Sequence, residues 1–126
     1  MWVWSRRTWL SNLGAEPDPD WEGNYYEVVG ATVDTGATIC MMGDLLAGKL
    51  GLELTDPTAL DPSTIAGVTT TAGHEEVAIT KWATARIKVG EVCYDQRVAV
   101  VNLAAFRWRI LLGVNFLNRH RVTIDF

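Results

Sequence analysis

The stretch that decides how this chain is read is Asn24-Tyr25-Tyr26-Glu27-Val28-Val29-Gly30-Ala31-Thr32-Val33 and its continuation Asp34-Thr35-Gly36-Ala37-Thr38. Residues 24–33 are rich in aromatic and β-branched side chains and read as a strand, with Gly30 as a bulge or a point of close approach. The strand runs into a carboxylate, a hydroxyl, a glycine and a small residue. A core does not want that order. An ionised Asp34 is costly to bury alone, and Thr35, Thr38 and the amides exposed by a turn at Gly36 can supply it with donors. The plainer alternative is that Asp34 caps a β-turn, since Asp followed closely by Gly is common turn chemistry.

On the C-terminal side, ATICMM is a short apolar strand, and Gly43-Asp44 followed by LLAGKLG predicts a helix of about two turns, capped by Asp44 and stopped by Gly51. Pro57 and Pro62 make the stretch 54–64 surface loop. From Thr64 to Val101 the pattern predicts two hairpins, turning at Ala72-Gly73-His74 and at Gly90-Glu91. Residues 109–113 (RILLG) form a short strand, VNFLNRH one or two helical turns, and RVTIDF a terminal strand. On the N-terminal side, WVWSRRTWL (2–10) reads as a strand, followed by a loop punctuated by Gly14, Pro17, Pro19 and Gly23. The sum is a mostly-β fold of seven or eight strands and two short helices. Hairpin connections without a βαβ rhythm point to an antiparallel closed or sandwiched sheet.

Composition bounds the function. A chain of 126 residues is one domain and can hold a core without disulfides. Fifteen acidic against eleven basic residues, a net charge of −4, disfavour nucleic acid and anionic membranes as partners. Cys40 and Cys93 each sit in an apolar stretch and read as buried free thiols. Neither His74, read as a solvated turn residue, nor His120 has a metal partner in the sequence, so no metal and no cofactor is expected. His120 lies in the basic run Arg119-His120-Arg121 next to a helix C-terminus, where positive charge is favourable. Asp18, Asp20 and Glu22 read as a solvated acidic loop. With no signal peptide and no membrane span, an intracellular location is favoured. Six tryptophans, four of them in the first twenty-one residues, set residues 1–23 apart as a Trp-rich strand and loop before a domain at 24–126.

Asp34-Thr35-Gly36-Ala37 in the first third, with Leu112-Gly113-Val114-Asn115-Phe116-Leu117 leading to Val122-Thr123-Ile124-Asp125-Phe126, resembles the retroviral and retrotransposon aspartic proteases, the retropepsin-like group. The resemblance runs from about Tyr25 to Phe126 and implies a closed antiparallel β-barrel, one lobe per chain, in a two-fold homodimer. It implies an aspartic endopeptidase that cuts a peptide or polyprotein by general acid/base activation of water between two Asp34 carboxylates, one from each subunit. Thr35 would hold the two loops in register, Gly36 would admit the substrate backbone, and Ala37 would keep the floor small. Thr38, Leu112, Gly113 and Asn115 would support the loop from below. A flap-like hairpin from Val68 to Val77, with Thr71, Ala72, Gly73 and His74 at its tip, would cover a substrate bound as an added strand. Ile110, with Ile39, Met41, Ile65 and Val68, is a candidate pocket wall or ordinary core.

Some positions depart from the family. Thr32 stands where a larger apolar residue is usual. Thr38 and Val114 replace the Asp and Arg of a supporting ion pair, and because both partners are missing no buried charge is stranded. The Trp-rich N-terminus has no counterpart in the family motif. It could pair in a dimer sheet with RVTIDF, burying Trp2 and Trp4, or be a processing segment, or contact substrate. Two other functions stay open: a catalytically silent dimeric peptide-binding or scaffold module of the same fold, and a nucleotide-phosphate site, for which the chain is too short.

Overall fold

The computed structural model describes residues 1–12, 15, 18–33, 39–56, 68–70, 76–78, 81–103 and 106–120. Its spine is the hairpin of β7 (Lys81–Val89) and β8 (Val92–Val101), closed by the two-residue turn Gly90-Glu91. Gly90 has φ +60°, the left-handed backbone that a tight hairpin turn requires and that a side chain resists. Period-two alternation divides the hairpin's buried residues between two faces. Ala83, Ala85, Ile87, Val98 and Val100 join the larger core, while Trp82, Ala99 and Val101 join a second cluster with Ile39 and Met41.

The sheet is built outward from this hairpin. On one side lie β1 (Trp2–Trp4) and then β2 (Tyr25–Glu27); on the other lie β4 (Met41–Gly43), β9 (Ile110–Leu112) and β3 (Ala31–Val33), giving the order β2-β1-β7-β8-β4-β9-β3. The expected antiparallel barrel is corrected in two ways. The β3–β9 and β4–β8 pairs are parallel, and the described strands form an open order with β2 and β3 at the edges. Hairpin logic pairs neighbours in sequence, whereas the strands of these parallel pairs are joined only by long crossovers. The stretch 24–33 is likewise two strands, broken at Val28–Gly30 so that β2 and β3 serve opposite edges of the sheet.

A separate two-stranded hairpin, β5 (Val68–Thr70) and β6 (Glu76–Ala78), pairs Thr70 with Glu76. Its expected tip, Thr71 to His74, lies outside the described residues, as do Ile65 and the expected terminal strand 122–126.

The N-terminus also departs from expectation. After β1 the chain turns into helix α1 (Arg6–Asn12) instead of remaining extended. Ser5 explains it. Its Oγ accepts the Thr8 N–H at 3.1 Å, and the Trp9 N–H reaches the Ser5 carbonyl at 3.0 Å, an N-cap that outweighs the β preference of the flanking aromatic residues. Ser5→Ala is expected to cost about 1 kcal/mol, read as a lower urea midpoint at unchanged slope. Both sides of β1 are occupied within the chain, by β2 and β7, so it is not the strand that pairs with the C-terminus. Val3 is the buried residue of β1; Trp2 stays 44% exposed and Trp4 half-buried.

The two expected helices are present. In α2 (Asp44–Leu50) the cap residue is Gly43, while Asp44 opens the helix with its carboxylate accepting the Leu45 N–H at 2.9 Å. Gly51 ends α2 at φ +67°, its N–H returning to the Ala47 and Gly48 carbonyls. Helix α3 (Val114–Arg119) follows β9 directly. Among the described residues no helix is long and apolar enough to cross a membrane.

Candidate active site

Asp34, Thr35, Gly36, Ala37 and Thr38 lie outside the described residues; the structure describes what holds the two ends of that segment. On entry, β3 runs parallel to β9 with Ala31, Thr32 and Val33 beside Ile110, Leu111 and Leu112. On exit, Ile39 and Cys40 are buried and lead into β4, whose Met41 and Met42 pair with Leu111 and Ile110. Strand β9 is thus wedged between the strand that enters the segment and the strand that leaves it.

Beneath this junction, the buried Gly113 donates its N–H to Cys40 Sγ at 3.4 Å, while the Cys40 carbonyl accepts the Ala99 N–H at 3.0 Å. Burial raises the Cys40 thiol above its ordinary pKa, against the smaller opposing effect of the Gly113 and Phe116 amides, so it stays a neutral thiol and an acceptor. The Gly113 carbonyl in turn accepts the Phe116 N–H at 3.1 Å and starts α3. Leu112, 1% exposed, fills the core below. Asn115 is the second residue of α3; its side chain is outside the described set.

Of the two readings of Ile110, pocket wall or ordinary core, the single chain shows the core position. Ile110 is fully buried in the main core together with Leu112, and the residue that alternation turns to the opposite face is Leu111, packed at the margin of the second cluster. The sequence does not show which of these residues faces the core, because three consecutive apolar residues carry no period-two signal. The register partner of Leu111, Thr32, is exposed, and a Thr there costs no core packing. Ile39 and Met41 belong to the second cluster and are nearly closed off, at 2% and 6% exposure.

Three smaller readings change. Cys93 is exposed rather than buried, with its Sγ 3.7 Å from the Tyr25 hydroxyl. The acidic loop is tied down: Asp20 accepts from Arg86 at 2.6 Å, and the Pro19 carbonyl accepts the Trp4 indole N–H at 2.8 Å. His120 is not a free basic residue. Its ring contacts Tyr94 and Phe116 at centroid distances of 4.7 and 4.8 Å, and its buried Nε2 has no hydrogen-bond partner among the described residues.

Burial first, then the adjacent Arg119, hold the His120 imidazole below its ordinary pKa, with Asp95 pulling the other way. The folded state therefore favours neutral His120. The stability it contributes is complete above the unfolded value of about 6.5 and is lost as pH falls through the lower folded value. Urea midpoints measured from about pH 7.5 down to 5 should fall, and His120→Phe should flatten that fall. Among the described residues no cluster of His, Cys, Asp and Glu could hold a metal.

A sequence profile of the family described as "gag-polyprotein putative aspartyl protease" matches residues 24–119. The chain belongs to this aspartyl protease family. The matched span takes in the Asp34-Thr35-Gly36-Ala37 segment and the whole β3–β9–β4 frame around it. The fold is similar to that of the EIAV protease solved in complex with the inhibitor HBY-793, with a TM-score of 0.52 at 17% identity, covering 75% of this chain and 78% of that one. Comparison with curated proteins finds no match. The gag-type aspartyl protease family and its retropepsin-like, β-rich fold are thereby established for this chain.

Proposed function

We propose that the protein is an aspartic endopeptidase that works as a homodimer, with one Asp34 from each subunit. The observation that carries this reading is the paired frame on either side of residues 34–38, with β9 held between β3 and β4, in a chain whose family is that of aspartyl proteases. A frame of that kind is what a catalytic carboxylate needs, because its position must be fixed by packing rather than found by diffusion.

The chain carries a single Asp-Thr-Gly, and one carboxylate cannot serve a peptide bond as base and acid at once. Two copies supply both roles. Carboxylates about 3 Å apart cannot both ionise, so the pair shares a proton. The ionised Asp34 takes a proton from water as that water attacks the scissile carbonyl, and the protonated Asp34 donates to the developing oxyanion. No covalent intermediate and no cofactor is needed. Thr35 locks the two loops, Gly36 admits the substrate main chain, and the 68–78 hairpin closes over a peptide bound as an added strand, with Ala37 as the floor and Thr71, Ala72, Gly73 and His74 at the covering tip. The protease domain is residues 24–126, and residues 1–23 add strand β1 to its sheet between β2 and β7. The test is cleavage of a peptide library by wild-type protein and Asp34→Asn, with sedimentation reporting the dimer in both.

A further inference from the structure

Resting on the protease reading above, we infer that Arg109 sets substrate preference, drawing an aspartate or glutamate side chain of the substrate to within about three residues of the scissile bond. The first support is the face on which Arg109 stands. The Gly43 N–H donates to the Arg109 carbonyl at 2.9 Å, which extends the β4–β9 pairing one residue beyond Met42 and Ile110. Alternation therefore holds through Arg109: Ile110 and Leu112 face the main core, and Arg109 shares the opposite face with Leu111.

The second support is the direction of its stem. Counting the β3–β9 register back by one residue sets Arg109 beside Gly30. A Cβ built on Gly30 would meet Arg109 Cγ at 2.8 Å, so the arginine stem crosses the chain just before β3, at a residue without a side chain. Only three residues separate Gly30 from Asp34, and the four steps between them span at most about 14 Å. A guanidinium at the end of this stem lies within the reach of a peptide held at Asp34.

The third support is charge. Arg109 is exposed and its guanidinium has no hydrogen-bond or ion-pair partner among the described residues, whereas Arg6 pairs with Glu53 and Arg86 with Asp20. Its neighbour Trp108 is 53% exposed, and Arg107 donates to Asn102 Oδ1 at 2.9 Å. In a chain of net charge −4, this turn presents a local positive site with an unengaged guanidinium, and a guanidinium binds a carboxylate through two parallel N–H donors. A lysine at the same substrate position meets repulsion instead.

The test compares kcat/KM for peptides that differ only in carrying Glu or Lys at each position near the scissile bond. Wild-type protein should favour Glu over Lys at one position by about ten- to a hundredfold, the range of a charge-assisted hydrogen bond. Arg109→Glu should invert that ratio, and Arg109→Gln should bring it close to one. Because each ratio is taken within one preparation, partial loss of folded protein does not move it. Cleavage by the wild type without charge preference, or a preference that survives in Arg109→Glu, overturns the role of Arg109 and leaves the protease reading standing. Failure of the wild type to cut any peptide, whatever its charge, overturns both.

Discussion

Asp34→Asn should retain the fold and the dimer while kcat/KM for peptide cleavage drops by at least about two to four orders of magnitude, the usual contribution of positioned acid/base catalysis. The amide matches the carboxylate in size and loses only its ability to take up and release a proton. In a homodimer encoded by one chain the substitution removes both members of the couple, so no half-active species survives. The expectation extends to pH. A shared proton requires the couple to be singly ionised, which places wild-type activity on the acidic side of neutrality. The measurement is cleavage of a fluorogenic peptide from about pH 4 to 7, with sedimentation of both proteins at matched concentration. A dimer of Asp34→Asn that cuts at the wild-type rate would assign the chemistry to another group. A wild-type dimer that binds peptides and never cuts them would favour a silent module of the same fold.

What could be read in advance depended on how local the signal was. Gly51 ends α2 and Gly90 turns the long hairpin because each position needs a left-handed backbone, a demand a single residue satisfies or does not. The start of α3 was legible for a similar reason, since Gly113 interrupts an apolar run just before a helical one. Helix α1 was lost because Trp2, Trp4 and Trp9 suggested a strand, while the decisive group was one hydroxyl, on Ser5. The parallel pairing of β3 with β9 joins residues nearly eighty positions apart, and no short-range pattern encodes it. That pairing is what hid the orientation of Leu111 and Arg109. Which face of Ile110-Leu111-Leu112 meets the core is fixed only once Thr32 and Met41 are known to lie beside Leu111. Cys93 was misread because an apolar run suggests burial, yet Val92 beside it is 53% exposed next to the turn of the hairpin.

The second face of the sheet carries the other large expected effect, the response to Trp82→Ala. Trp82 is 1% exposed and packs with Ile39, Met41, Ala99 and Val101, and Ile39 is the first described residue after the segment 34–38. Its backbone exchanges two hydrogen bonds of 2.8 Å with Thr55, and the Arg97 guanidinium stands 5.8 Å from its ring centroid. Truncation leaves the backbone bridge intact and removes the ring, so the loss is transfer energy plus the cavity left behind, about 3 to 5 kcal/mol. Against a total of about 5 to 15 kcal/mol for a domain of ordinary stability, that is a large fraction. The neighbours are poorly suited to collapse: Ala99 is too small to fill the space, and Ile39 and Met41 are held by the strands that frame residues 34–38. Trp82→Phe keeps an aromatic ring in place and should recover more than half of the loss. Urea unfolding of the three proteins decides, and a loss below about 1 kcal/mol for Trp82→Ala would mean that the second cluster adds little to the stability of the sheet.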